Sequence, residues 1–83
     1  MDRKIYIGNL SYFVTEDSLR KLCEPFGDIA RITIPIDAAT QRGRGFAFVE
    51  FYSPLSAARC IDSLDGTEFL ARNIRVAEAT RSR

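Results

Sequence analysis

The sequence contains no histidine and only two cysteines, and these do not form a Cys-x-x-Cys motif. Because zinc sites are built mainly from clustered cysteine and histidine ligands, we expect no metal site, and we expect no cofactor. Cys23 and Cys60 fall at apolar positions of two predicted helices. We therefore predict two buried, reduced thiols rather than a disulfide, which indicates an intracellular protein without distinguishing nucleus from cytoplasm.

Long apolar runs and an excess of one charge are also absent. No apolar run reaches the roughly 18 residues of a membrane span, and strand-like sequence begins within a few residues of Met1. We expect no membrane association and no secretory or transit segment. Twelve basic residues against 11 acidic ones give a net charge of +1 at pH 7. Any attraction to phosphate must therefore come from how the charges are arranged.

The composition is that of one small globular domain. The 83 residues are 46% hydrophobic and 28% charged, which fits a folded soluble domain and argues against disorder. We predict a single domain over residues 1–83, with a core at about 3–80 and a basic tail at 80–83.

Apolar periodicity in the first half predicts a strand, a helix and a second strand. The first strand is predicted at 4–10. Thr15 is the predicted N-cap of a helix, whose apolar stripe is formed by Leu19, Leu22, Cys23 and Phe26. The second strand is predicted at 28–36. Its Pro35 cannot donate to a ladder, which favours a sheet edge. A polar loop is predicted at 37–43.

The second half repeats this order. A strand is predicted at 44–51, and Ser53-Pro54 is a typical helix start. The last strand is predicted at 74–79. The order strand, helix, strand, strand, helix, strand predicts an α+β fold of two split βαβ units, a ferredoxin-like sandwich. Right-handed crossovers give a four-stranded antiparallel sheet in the order 4-1-3-2, packed on two helices.

The segment 44–51 has an unusual distribution of aromatic residues. Alternation places Ala47, Val49 and Phe51 on the core face, and the opposite face receives Arg44, Phe46, Phe48 and Glu50. Tyr6 of the neighbouring central strand is predicted to lie beside the two phenylalanines. Three rings on the face that no helix covers, with cations nearby, are suited to binding stacked bases and phosphates.

Two motifs on these strands resemble a known family. Ile5-Tyr6-Ile7-Gly8-Asn9-Leu10 resembles the hexamer signature of the RNA recognition motif family, and Arg44 to Phe51 matches its octamer signature. The resemblance covers residues 3–80. It implies that Tyr6, Phe46 and Phe48 stack bases and that Arg44 meets a phosphate.

The resemblance implies binding of single-stranded RNA over about two to four nucleotides, in RNA processing or regulation. We also keep open binding of single-stranded DNA in vitro and of protein partners through the helices. Supporting RNA contacts are expected, chiefly by strand parity, from Lys4, Arg31, Thr33, Arg75, Ala77, Asn9 and Arg42. For Asn9, fixing the strand end is at least as good an interpretation as base contact.

Some features depart from the family pattern or leave a choice open. Ala71 stands where many relatives have glycine, which bears on the turn before the last strand. Tyr12 and Phe13 follow the first strand, where they either pack against the helix end or contact ligand.

Two other classes of function compete with RNA binding. A protein partner could cover the open face of the sheet, although this sequence keeps all three rings. Acylphosphatases share the architecture but use an arginine after the first strand, where this chain has Ser11-Tyr12-Phe13. The carboxylates are distributed as helix caps and solvated faces rather than as an acid and base pair, so we expect no enzyme.

Overall fold

The computed structural model describes residues 2–79, so the predicted tail at 80–83 lies outside the described residues. In chain order the elements are β1 (Lys4–Gly8), α1 (Glu16–Cys23), β2 (Ile29–Thr33), β3 (Ile36–Asp37), β4 (Arg42–Gly43), β5 (Phe46–Phe51), α2 (Pro54–Leu64), β6 (Glu68–Phe69), β7 (Arg72–Asn73) and β8 (Arg75–Glu78). A 3₁₀ turn, Glu24–Phe26, follows α1. Within the described residues, no helix has the length and apolar character needed to cross a membrane.

The main sheet has four antiparallel strands in the order β2-β5-β1-β8. The first and third predicted strands, β1 and β5, lie in the centre, so the predicted order 4-1-3-2 is confirmed. Pro35 lies just beyond the end of β2, which is an edge strand as predicted.

The core lies between one face of this sheet and the two helices. Alternate residues of the central strands are fully buried, as the period-two pattern predicts for a sheet covered on one side. The buried set consists of Ile5, Ile7, Leu10, Val14, Leu19, Cys23, Ala47, Val49, Phe51, Ala57, Cys60, Ile74 and Val76. No polar or charged residue of the described chain belongs to the buried class.

Both helices begin where the sequence predicts. The Thr15 hydroxyl accepts from the Ser18 amide at 3.1 Å, and the Ser18 hydroxyl accepts from the Thr15 amide at 3.1 Å. This reciprocal capping box satisfies two backbone donors at the helix start. Ser53 caps α2 in the simpler way, accepting from the Leu55 amide at 3.2 Å, with Pro54 at the first helical position.

Strand β2 contains a bulge that the alternation pattern did not predict. Its register against β5 shifts between Ile29 and Arg31. Ile29 lies opposite Phe51, and Ile32 lies opposite Val49, so both isoleucines face the core although they are three residues apart. The extra residue, Ala30, absorbs the mismatch with the period of two.

The two thiols are buried and unpaired, as predicted. Their sulfur atoms lie 4.0 Å apart, where Cys23 of α1 meets Cys60 of α2. The hydrogen bond to Cys23, together with burial, raises the pKa of Cys60. The pair therefore acts as apolar packing between the helices.

Residues 38–41 of the predicted polar loop at 37–43 form a turn, but Asp37, Arg42 and Gly43 belong to a short hairpin, which was not predicted. Ile36 pairs with Gly43 and Asp37 with Arg42. The Asp37 carboxylate accepts from the Ala39 amide at 2.9 Å, and the backbone carbonyl of Asp37 accepts from the Gln41 amide at 2.8 Å. An aspartate that binds the backbone two residues ahead is a turn-forming signal, and it explains why polar residues form a hairpin here.

A second hairpin, β6 with β7, turns through Leu70 and Ala71. Both residues have left-handed backbone angles, with φ of 51° and 67°. A two-residue hairpin loop with two positive φ values is a geometry that favours asparagine and glycine. Ala71 therefore holds a strained backbone.

We predict that Ala71→Gly stabilises the protein. Relief of the left-handed conformation is worth about 1–2 kcal/mol, and the greater freedom of glycine in the unfolded chain offsets about 0.5–1 kcal/mol. The free energy of unfolding should rise by about 0.5–1 kcal/mol, measured by urea denaturation. Ala38→Gly, in an exposed turn without a positive φ, should give no gain. A lower free energy of unfolding in Ala71→Gly would contradict the claim that the backbone at Ala71 is strained.

Candidate nucleic-acid interface

The face of the sheet opposite the helices carries three aromatic rings near its centre. Tyr6 of β1 lies opposite Phe48 of β5, and Gly8 of β1 lies opposite Phe46. The strand register places one row of side chains across all four strands: Thr33, Phe48, Tyr6 and Ala77. We call Tyr6, Phe46 and Phe48 the aromatic platform.

The three rings of the aromatic platform contact one another. The Tyr6 centroid lies 6.1 Å from that of Phe46 and 5.9 Å from that of Phe48. Phe46 and Phe48 meet edge to face, at 5.9 Å and 82°. These separations lie within the favourable range for aromatic pairs, so each ring stabilises the position of the other two. The rings are half-buried by this mutual contact rather than by a helix.

Gly8 gives the Tyr6 ring its place on the platform. A Cβ added at Gly8 would lie 2.8 Å from two ring carbons of Tyr6 and would also meet its hydroxyl oxygen. The ring therefore lies flat across Gly8, where any other residue would push it away. This close approach explains a glycine as the last residue of a central strand.

A cation lies beside each end of the aromatic platform. The Lys4 ammonium lies 5.0 Å from the Phe48 centroid, and the Arg44 guanidinium lies 5.9 Å from the Phe46 centroid. Both distances allow a cation–π interaction. Arg31 lies opposite Glu50 in the strand register, and the Glu50 carboxylate pairs with Arg3 at 3.8 Å.

Arg44 reaches this position by a route other than strand alternation. The strand predicted at 44–51 begins two residues later, at Phe46. Gly45 has a φ of 95°, and the Arg44 amide donates to the Pro35 carbonyl at 3.2 Å. The backbone turns at Gly45, and this turn carries the guanidinium over the Phe46 ring.

Asn9 is engaged within the protein. Its side-chain amide donates to the Asn73 carbonyl at 2.8 Å, and its side-chain oxygen accepts from Arg72 at 2.7 Å. Arg72 also donates to the Asn9 carbonyl at 3.2 Å. The backbone φ of Asn9 is 59°. These hydrogen bonds connect the end of β1 to β7, and they favour the interpretation that Asn9 fixes the strand end.

Arg75 is likewise directed away from the rings. Its backbone lies opposite Gly8, but its guanidinium pairs with Asp65 at 3.5 Å. The same Asp65 carboxylate accepts from the Val76 amide at 2.8 Å. Asp65 therefore covers the outer edge of β8 and holds Arg75 at the border of the open face.

Arg42, Tyr12 and Phe13 form a second aromatic and basic cluster. The Arg42 guanidinium lies 4.8 Å from the Phe13 centroid. Tyr12 is 58% exposed and Phe13 is 68% exposed, so neither packs against the helix end. The sequence motifs did not select these two aromatics. Their position between a strand end and the cap at Thr15 is the signal that could have indicated an exposed loop.

Among residues 2–79, no group of three or more histidine, cysteine or acidic side chains is arranged to hold a metal ion. The aromatic platform, with Lys4 and Arg44 beside it, lies on the face of the sheet that the helices do not cover. An antiparallel sheet with one open face that carries aromatic rings defines a class of nucleic-acid-binding domains.

The model of the RNA recognition motif family matches residues 5–75, and the chain belongs to this family. This confirms the resemblance carried by the hexamer and the octamer.

Several curated proteins are similar along most of the chain. The putative RNA-binding protein RbpB of Nostoc sp. is 44% identical over 75 residues, covering 90% of this chain and 73% of that protein. The putative RNA-binding protein RbpA of Synechocystis sp. is 40% identical over 75 residues, covering 90% of this chain and 74% of that protein.

Solved structures agree with the fold. The crystal structure of RNA-binding protein PG1 aligns with a TM-score of 0.90 at 37% identity, covering 98% of each chain. The Rna15 RRM with bound RNA (GU) aligns with a TM-score of 0.88 at 28% identity, covering 100% of this chain and 88% of that chain.

We predict that Gly8→Ala displaces the Tyr6 ring while the domain stays folded. The added Cβ meets the far end of a flexible side chain, so the ring can move without moving the backbone. Nuclear Overhauser contacts between the Tyr6 and Phe46 rings should weaken or disappear, while the amide shifts of the helices stay in place. Unchanged contacts between these two rings would contradict the close approach.

Proposed function

We propose that this domain binds single-stranded RNA on the open face of its sheet. The observation that carries the proposal is the contact of Tyr6, Phe46 and Phe48 in one half-buried cluster that no helix covers. Flat rings at the sheet surface offer stacking partners to unpaired bases of any identity. Family membership and the RNA-bound Rna15 domain of the same fold support this choice.

The surrounding side chains divide into contact and positioning roles. Lys4 and Arg44, which border the rings, are proposed to meet phosphates. Thr33 and Ala77 extend the central row of the platform, and Arg31 flanks it, so they are proposed as lesser contacts. Asn9 and Arg75 are engaged by protein groups, and we propose that they act through the shape of the strand ends. Arg42 belongs to the neighbouring cluster with Phe13.

The number of rings sets the expected affinity. Each stack is worth about 1–3 kcal/mol, so three give about 6 kcal/mol, which corresponds to a dissociation constant of tens of micromolar. The platform alone is therefore a weak binder of about two to four nucleotides. A role in RNA processing or regulation would require further contacts from loops or from other domains.

We propose binding rather than catalysis as the activity. Membership of the RNA recognition motif family supports this choice. Single-stranded DNA is a second proposed ligand in vitro, since stacking does not require a 2′-hydroxyl. Protein contact through the helices and an intracellular location remain part of the proposal, the latter supported by the two unpaired thiols.

Replacing Phe48 by alanine should weaken RNA binding by about 1–3 kcal/mol, because one stacking surface is lost. The measurement is titration of a short single-stranded RNA, with thermal unfolding to establish that the variant is folded. Leu55→Ala removes an exposed apolar side chain from α2, on the helical side, and should bind normally. Equal affinity of the wild type and Phe48→Ala for the RNA would contradict the hypothesis that bases stack on Phe48.

Replacing Arg44 by alanine should reduce the salt dependence of binding. A lost phosphate contact lowers the slope of log K against log salt by about 0.7 for a single strand. Arg59→Ala removes the same charge from an exposed position on α2 and should leave the slope close to that of the wild type. If both variants keep the wild-type slope, Arg44 does not contact phosphate.

A further inference from the structure

The two cysteines of the chain meet at one point in the core. Cys23 is the last residue of α1, and Cys60 lies within α2. Both are fully buried, on the side of the sheet opposite the aromatic platform. Neither thiol has a role in the proposed function, so the chemistry of the pair is a separate property of the domain.

The two sulfur atoms are close enough to react with each other. They lie 4.0 Å apart although the residues are 37 positions apart in sequence. A disulfide bond is about 2 Å long, so an approach of about 2 Å, shared between two side chains, would join them. The fold has therefore already brought together the two ends of a long loop, which is the step that costs entropy in an unfolded chain.

The hydrogen bond within the pair gives the two thiols different roles. The Cys60 thiol donates to the Cys23 sulfur. This hydrogen bond lowers the pKa of Cys23, against the opposing effect of burial. The same hydrogen bond, together with burial, raises the pKa of Cys60. Because the thiolate is the nucleophile in thiol oxidation, Cys23 is the sulfur that attacks an oxidant and Cys60 is the sulfur that resolves the product.

The position of Cys23 at a helix end gives a small oxidant a route to the pair. Helix α1 has eight residues, fewer than the roughly 12–15 that an isolated helix needs to be stable. The 3₁₀ turn that follows contains Pro25, which has no backbone N–H to donate. Short helix ends open locally without unfolding of the whole domain. Opening of the last turn of α1 would expose Cys23 while α2 still holds Cys60.

Metal binding is a poorer use of the same two sulfurs. Structural thiolate sites for zinc take four ligands, and catalytic ones take three protein ligands. Among residues 2–79, no third histidine, cysteine or acidic side chain completes such a site with the pair. Disulfide formation needs only the two sulfurs that are present.

We propose that Cys23 and Cys60 form a redox site, which hydrogen peroxide converts to an intramolecular disulfide between α1 and α2. The Cys23 sulfur attacks one peroxide oxygen and the O–O bond breaks, which gives a sulfenic acid on Cys23 and, with the Cys23 proton, one water. The Cys60 sulfur then attacks the Cys23 sulfur and the S–O bond breaks. The departing hydroxide takes the Cys60 proton as a second water. The two thiols lose two electrons in total, and the peroxide gains them.

The crosslink stabilises the folded domain. It closes a loop between residues 37 positions apart, which restricts the unfolded chain more than the folded one. Because the pair lies beneath the sheet, the disulfide leaves the rings of the aromatic platform uncovered. The oxidised domain should therefore stay folded under conditions that unfold the reduced one.

The test treats the folded, reduced protein with hydrogen peroxide and follows its mass, its free thiols and its thermal midpoint. The wild type should become about 2 Da lighter and lose both free thiols. Its thermal midpoint should rise by roughly 10–20 °C, and dithiothreitol should reverse all three changes. Cys23→Ala and Cys60→Ala each keep one thiol, so neither variant should show the mass loss or the gain in midpoint.

Three results would overturn the redox site: both thiols stay free in peroxide, oxygen adds to the sulfurs separately, or the wild type forms covalent dimers instead of an internal crosslink. A disulfide form whose midpoint is equal to or below that of the reduced protein would overturn the stabilising role. Reversal by dithiothreitol is measured on the wild type itself, so the test decides even where an alanine variant fails to fold.

Discussion

The pairing of β1 with β5 is the constraint on which the functional surface depends. Because Tyr6 lies opposite Phe48 and Gly8 lies opposite Phe46, the three rings meet at the centre of the sheet. A register shift of one residue would turn these rings into the core and expose Ile5, Ile7 and Val49. Burial of those apolar residues against the helices therefore fixes the aromatic platform on the other face.

This arrangement explains how a chain with a net charge of only +1 can attract RNA. Three cations are placed individually beside aromatic rings: Lys4 beside Phe48, Arg44 beside Phe46 and Arg42 over Phe13. Each basic group is paired with a ring, so that a base and its phosphate can be bound together. In the proposed function, the arrangement of charge rather than its sum attracts the RNA.

Much of the fold followed from periodicity and capping residues, and the parts that did not follow involve local irregularities. Thr15 and Ser53 marked both helix starts, and alternation identified the inward residues of β1 and β5. The bulge at Ala30 and the turn at Gly45 interrupt alternation, so they could not be derived from it. The sequence predicted that Tyr6, Phe46 and Phe48 lie on the open face of the sheet. The hydrogen bond between Arg72 and Asn9 was not predicted, because it joins residues 63 positions apart in sequence.

The most direct test of the account is observation of contacts between RNA bases and the three rings in solution. In a nuclear magnetic resonance titration with a single-stranded trinucleotide, base protons should shift upfield and show Overhauser contacts to the ring protons of Tyr6, Phe46 and Phe48. Contacts confined to residues of α1 and α2, with the ring signals unchanged, would contradict it.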